Sequence, residues 1–230
     1  MFRLPFAAVV FLITVLVAIS VCLLLPGLVA KQAPAYIKTH MASFIEIEKA
    51  EFKHSPPELI LHKVRLQDPQ GFGGGDALRI DRVNVTFAGY GLRPIEISAL
   101  TFHNVRGEYK KRDEANNFAI LLQQLMERKG ETPRGVLAFK TKLDHMAIYR
   151  SSVQSEDASA LIPLADKEFK PTGALENIVP LQYVIADALG AVIVHEQEAA
   201  DLLTVEQIKE KTRGLVQSIG DAVKEYLTTP

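Results

Sequence analysis

From Leu4 to Ala30 the chain carries no charged residue. That run of 27 residues exceeds the roughly 20 apolar residues a helix needs to cross the hydrocarbon core. It is a transmembrane helix candidate, and a cleavable signal peptide is the competing reading. In the second reading Arg3 is the basic start and Leu28-Val29-Ala30 the cleavage site. The apolar part outruns the roughly 7–15 residues of an ordinary signal core, which favours the anchor. Arg3 and the amino terminus argue for a cytoplasmic start, against Lys31 and Lys38 at the far end. A short tail before a long domain favours export of that domain.

The single cysteine, Cys22, lies inside the run. An intramolecular disulfide and a cysteine-based metal site are therefore excluded. Ile19-Ser20-Val21 before it matches a lipidation box poorly. Charge nearly cancels, with 26 Lys plus Arg against 27 Asp plus Glu, so composition gives no footprint for nucleic acid. At 230 residues the chain suits one domain with appendages. The division expected is an anchor over 1–30, a linker over 31–41, a β domain over 42–175 and a helical region over 176–230.

Within the β domain, "FIEIEKAEF" alternates Ile45 and Ile47 with Glu46 and Glu48, the period of a half-buried strand. "LILHKVRL" follows Ser55-Pro56-Pro57 and places Ile60, His62, Val64 and Leu66 on one side. The two predict an antiparallel pair. In "DPQGFGGGDALRIDRVNVTF" the glycines stand between two strands. A phosphate loop needs a following helix, whose free N–H groups bind the anion, and a Walker loop needs a Lys-Ser/Thr ending. Asp68-Pro69-Gln70-Gly71 instead predicts a type I turn, in which Gly71 resists a side chain and Gly74 tolerates one.

The next strand slips phase. Leu78 and Ile80 share one parity, and Val83, Val85 and Phe87 take the other. A second slip separates Ile97 from Leu100 and Phe102. Two bulges, near Arg82 and Ala99, would restore one apolar face and curve the sheet; pairs of shorter strands joined by bends fit the pattern equally. "NNFAILLQQLMERK" predicts a helix capped by Asn116 or Asn117, with Phe118, Leu121, Leu122, Leu125 and Met126 on its apolar face. "GVLAFKTKLDHMAIYRSSV" returns to strand alternation, and Ser151 to Lys170 is polar and irregular. Two helical stripes end the chain, one over Leu181, Val184, Ile185, Ala188, Leu189, Val192 and Ile193, the other over Ile208, Leu215, Ile219, Val223 and Tyr226. Both suit packing on the sheet first, with docking to a partner or a membrane surface as the alternative use.

Catalytic patterns are missing. His195-Glu196 opens like a zinc protease motif, but Ala199 stands where the second histidine belongs. Asp144-His145 has no nucleophile beside it, and no G-x-S-x-G elbow occurs. Asn84-Val85-Thr86 fits a glycan sequon but falls within a strand. The expectation is a protein that is not an enzyme and takes no cofactor or metal.

"PPELILHKVRLQDPQGFGGGDALRIDRVNVTF", with "GLRPIEISALTFHNV", "NNFAILLQQL" and "GVLAFKTKLDHMAIY", resembles the AsmA-like family of bacterial envelope proteins. The likeness runs from about Met1 to Tyr149 and lies in turns and alternation, without catalytic residues. It implies an α+β fold: an N-terminal transmembrane helix, a curved, mainly antiparallel sheet shaped as a groove with one packed helix, and a helical C-terminal region. It also implies a single-pass inner-membrane protein with its main domain in the periplasm. Larger members are implicated in moving phospholipid or keeping the envelope intact. About eight strands at roughly 4.8 Å give a groove on the order of 40 Å long, too short to bridge the periplasm alone. The candidate contacts for acyl chains are Val83, Val85, Phe87, Leu100 and Phe102, with other envelope proteins as further partners. The alternative is a membrane-anchored assembly protein that binds no lipid, because an apolar strand face serves a closed core as well as an open groove.

Overall fold

The computed structural model describes residues 30–89, 94–156, 161–169 and 178–202. The run from Leu4 to Val29 and the second C-terminal stripe, Ile208 to Tyr226, lie outside them. Among the described residues no helix is long and apolar enough to cross a membrane. The fold is α+β, with a curled, half-barrel sheet that is mainly antiparallel.

Four long strands, β1 (Ile45–His54), β2 (Pro57–Gln67), β3 (Asp76–Phe87) and β4 (Ile95–Tyr109), follow one another as an antiparallel meander. After β4 come a two-residue hairpin, β5 (Lys111–Arg112) with β6 (Ala115–Asn116), and the helix α2 (Asn117–Gly130). The chain then returns parallel to β4 as three short pieces, β7 (Lys140–Leu143), β8 (Met146–Tyr149) and β9 (Ser152–Ser155). They keep one register along β4, pairing Ile97 with Leu143, Phe102 with Ile148 and Gly107 with Val153. Three still shorter pieces, β10 (Ile162–Pro163), β11 (Lys167–Phe169) and β12 (Val179–Pro180), pair antiparallel with β9, β8 and β7. The segment expected to be irregular thus contributes the far edge of the sheet.

Among the described residues three α-helices accompany the sheet. Residues 30–40 are helical (α1), where a linker was expected over 31–41, and residues 181–202 form α3, within the region expected to be helical. Alanine and lysine in 30–40 favour the helix. Pro34 removes one N–H bond and crowds the preceding turn, a local cost that the packing of the following residues offsets. Tyr36 and Ile37 pack against the main core, and Lys38 reaches Glu46 on β1 at 2.7 Å. In α2 the cap is Asn116, whose side chain accepts the Ala119 N–H at 2.7 Å. Phe118, Leu121 and Leu125 are buried, while Met126 is half-exposed.

Both phase slips are present, with different causes. At Ile97 the register shifts against β3, since Thr86 faces Ala99 while Phe87 faces Ile97. Ser98 is therefore the extra residue of a bulge. Near Arg82 there is no bulge: the flanking pairs Ile80 with Val105 and Arg82 with His103 keep one register. Instead, Lys63, Asp81, Asn104 and Arg150 stand level across adjacent strands. Lys63, Asn104 and Arg150 take φ of 50°, 54° and 57°. A residue in that left-handed conformation reverses the side-chain alternation of its strand. The chain therefore changes phase in β2, in β4 and between β8 and β9 along one transverse line, and β3 changes phase on the same line at Asp81 without a positive φ. In β2 the consequence corrects the expected face, because Ile60 falls outside the core cluster and Leu61 packs against it.

The glycine loop also differs from its expected turn. Phe72 N–H bonds Pro69 O at 3.3 Å, placing Gly71, φ +95°, third in the turn. That is the position where a type II turn demands positive φ. Gly74, expected to tolerate a side chain, has φ +78°. Space is open around both glycines, so only the backbone objects. Gly71→Val is expected to lower stability by about 1 kcal/mol or more, read as a shift in denaturant midpoint; an unchanged midpoint would remove the turn from the account.

Candidate apolar groove

The transverse line leaves an apolar face that is continuous across strands. On one side of it run two rungs, Ile45, Leu66, Leu78, Gly107 and Val153, then Ile47, Val64, Ile80 and Val105. On the other side run Leu61, Val83, Phe102 and Ile148, then Phe52, Leu59, Val85, Leu100 and Met146. Their buried members join one cluster with α2 and α3. The apolar face is the inside of the curl. Phe52 and Phe87 sit two strands apart, about 9.6 Å between backbones, yet their ring centroids are 6.2 Å apart.

The helices cover this face unevenly. A Cβ on Gly107 would stand 3.0 Å from the Phe118 ring of α2 and 3.1 Å from Glu196 of α3, so both helices press on the sheet there. α3 also rests on α2, since a Cβ on Gly190 would meet Leu122 at 3.1 Å. Of the five candidate contacts, Val83, Leu100 and Phe102 are buried, at 4%, 7% and 2% exposure, whereas Val85 and Phe87 are half-buried. Phe52, Leu59 and Leu61 are half-buried as well. The sequence pattern offers no reason to include these three; Leu59 and Leu61 follow from strand alternation once the phase change at Lys63 is known, and Phe52 from its pairing with Leu59.

Beside this half-buried end lies a cavity of about 570 Å³ between the first described turn of α1 and Glu48 to Lys53 of β1. Successive strand residues point to opposite faces, so a wall of six in a row is the strand's edge. Ala30 and Pro34 line the other wall with Lys31, which has no ion-pair partner among the described residues. Phe52 belongs both to the wall of this cavity and to the inner face.

A polar clamp sets the opposite end. The Asp68 carboxylate, fully buried, pairs with Lys110 and accepts from Asn117 Nδ2 at 2.8 Å. Asn117 also donates to Glu108 O at 2.7 Å and accepts the Lys110 N–H at 3.0 Å. Lys110 reaches Gly74 O at 3.2 Å. The glycine loop is thus tied to the start of α2, and its residues serve structure.

Catalytic groupings stay apart. Asp144 pairs with Lys142 at 2.8 Å, and the His195 ring meets the Ser151 hydroxyl at 3.2 Å. Among the described residues no group of three or more His, Cys, Asp and Glu could hold a metal. No family model matches the chain, nor does any curated protein or solved structure.

Proposed function

We propose that the protein is a membrane-anchored module of the bacterial envelope that takes phospholipid acyl chains on the inner face of its curled sheet. One observation carries the reading: the inner face is sealed by α2 and α3 around Gly107 but stays half-open at Phe52, Leu59, Val85 and Phe87. A large contiguous exposed apolar patch marks a binding site, and these side chains, which pack against the core yet stay half-buried, are where an acyl chain would extend the apolar layer. The uncharged run ends at Ala30, on the wall of the cavity that shares Phe52 with that face. If the run is an anchor, lipid leaving the bilayer meets the half-open end first. Val85 and Phe87 line the contact, while Val83, Leu100 and Phe102 form the packed floor behind it. The role is non-catalytic and needs no cofactor or metal, and the domain works in the periplasm on the inner membrane.

The test is phospholipid retention by the full-length chain purified in detergent, assayed by mass spectrometry. Wild type should retain phospholipid. Val85→Asp should lose it while its thermal unfolding stays cooperative. A lipid-free wild type would overturn the reading and favour an assembly protein that binds no lipid. Alkaline carbonate washing checks the anchor: full-length chain is expected in the membrane pellet, and a soluble form beginning near Lys31 would show cleavage instead.

A further inference from the structure

α3 lies on the inside of the sheet through Val184, Leu189, Val192, Ile193 and Ala200, all buried. In phase with that stripe, three residues after Ile193, stands Glu196 at 0% exposure. Among the described residues neither of its carboxyl oxygens makes a hydrogen bond of good geometry, although the Ser151 hydroxyl lies close by. The group is held against the β4 backbone, where a Cβ on Gly107 would approach its Oε2 to 3.1 Å, and the Phe118 ring closes on the same point.

Among the described residues no neighbouring charge compensates it. On β4, Arg106 and Glu108 alternate to the outer face, where Glu108 lies 3.7 Å from both Lys110 and Arg79. Tyr109 returns to the inner face but donates to Asp201 at 3.1 Å, and burial with that contact pushes its phenol up to about 12, so it is neutral. Gly107's rung partners on β3 and β9 are Leu78 and Val153, and α2 offers Phe118. On α3 itself, burial holds His195 below its usual range, and Glu198 lies 3.5 Å from Lys167. The Ser151 hydroxyl is engaged with the His195 ring. Burial accordingly pushes the Glu196 carboxyl up to about 8, with Ser151 opposing.

The two halves of α3 are fastened differently. At the start, the buried Gln182 side chain donates to Arg128 O and to Glu131 O, the latter at 3.2 Å, and Asp187 pairs with Lys129 at 2.5 Å. All three contacts go to the last turn of α2 or to Glu131, which caps it. The second half is tied by Asp201 to Tyr109 and by Glu198 to Lys167, and it has Glu196 at its centre, where an ion would lose most of its hydration.

We propose that α3 from Val192 onward is a proton-latched lid, which stays on the sheet while Glu196 is protonated and lifts from the rungs around Gly107 when it ionises. This deepens the lipid-handling reading by giving the inner face a movable cover, and it rests on that reading only for what the uncovered face would take up. The closed state holds the proton more tightly than the open state, where the carboxyl returns to its ordinary value near 4.5. Closure is therefore most favoured below about 4.5, and opening gains about tenfold per pH unit from there to about 8, then levels off.

Hydrogen exchange of the full-length chain in detergent, corrected for intrinsic rates, tests this without lipid. From pH 5.5 to 7.5, protection of peptides within 190–202 should fall about tenfold per unit, with residues 117–130 unchanged. Glu196→Gln, or Glu196→Leu if the first variant fails to fold, should abolish the pH dependence. Overturning results are a flat profile in wild type, the wild-type profile retained in a folded variant, or loss of protection shared equally with 117–130, which is general unfolding. Phospholipid assayed in the same samples separates the two readings: a titrating lid without bound lipid overturns lipid handling and leaves the lid standing.

Discussion

Asp68→Ala is expected to destabilise the protein by about 3–5 kcal/mol, the usual result of removing one partner from a buried ion pair. Asp68 is fully buried and Lys110 is 14% exposed, so the abandoned ammonium has little access to water. Asn117 Nδ2 loses an acceptor in the same step. The glycine loop then loses its tie to α2, because Lys110 holds Gly74 O only while it is positioned by Asp68. Asp76→Ala is the internal control. Its partner Arg79 is 54% exposed, and such pairs contribute about 0–1 kcal/mol. Adding Lys110→Met to Asp68→Ala should recover much of the loss, since the stranded charge is gone. Denaturant midpoints read all three, and equal costs at Asp68 and Asp76 would sink the clamp.

Phe102→Ala is expected to cost about 3–5 kcal/mol, the range for emptying a large buried site. Phe102 is 2% exposed, with Val83 and Ile148 directly opposite on the neighbouring strands. Val85→Ala, two residues along β3 from Val83 but half-buried, should cost about 1 kcal/mol or less. The contrast locates the seam between packed floor and open groove. A face open along its whole length would give small costs at both positions, and a face sealed along its whole length would make Val85→Ala as costly per methyl group as Phe102→Ala.

Much of this architecture is legible in the residues, and the exceptions have definite causes. The first two strands, α2 and the apolar stripe of α3 announce themselves because each repeats its period several times. The slip in β3 is legible too, but its cause is not. Asn104 is a residue type that accepts positive φ, whereas Lys63 and Arg150 are not marked for it by composition. A line across the sheet emerges only once the strands are in register. Strands β10, β11 and β12 hold two or three residues each, fewer than one full alternation needs to show. The segment over 30–40 reads as a linker because Pro34 masks the contacts of Tyr36 and Ile37. Of the groove, the candidate residues were readable, but which of them are sealed depends on where two helices land. Glu196 carried a signal of its own, a carboxylate falling in phase with an otherwise apolar stripe.

Photo-crosslinking at Val85, carried out in intact membranes, tests the central claim most directly. The half-open face predicts phospholipid adducts at Val85 and none at the buried Phe102. Adducts at Val85 only to another protein, or only to α2 and α3 of the same chain, would contradict it.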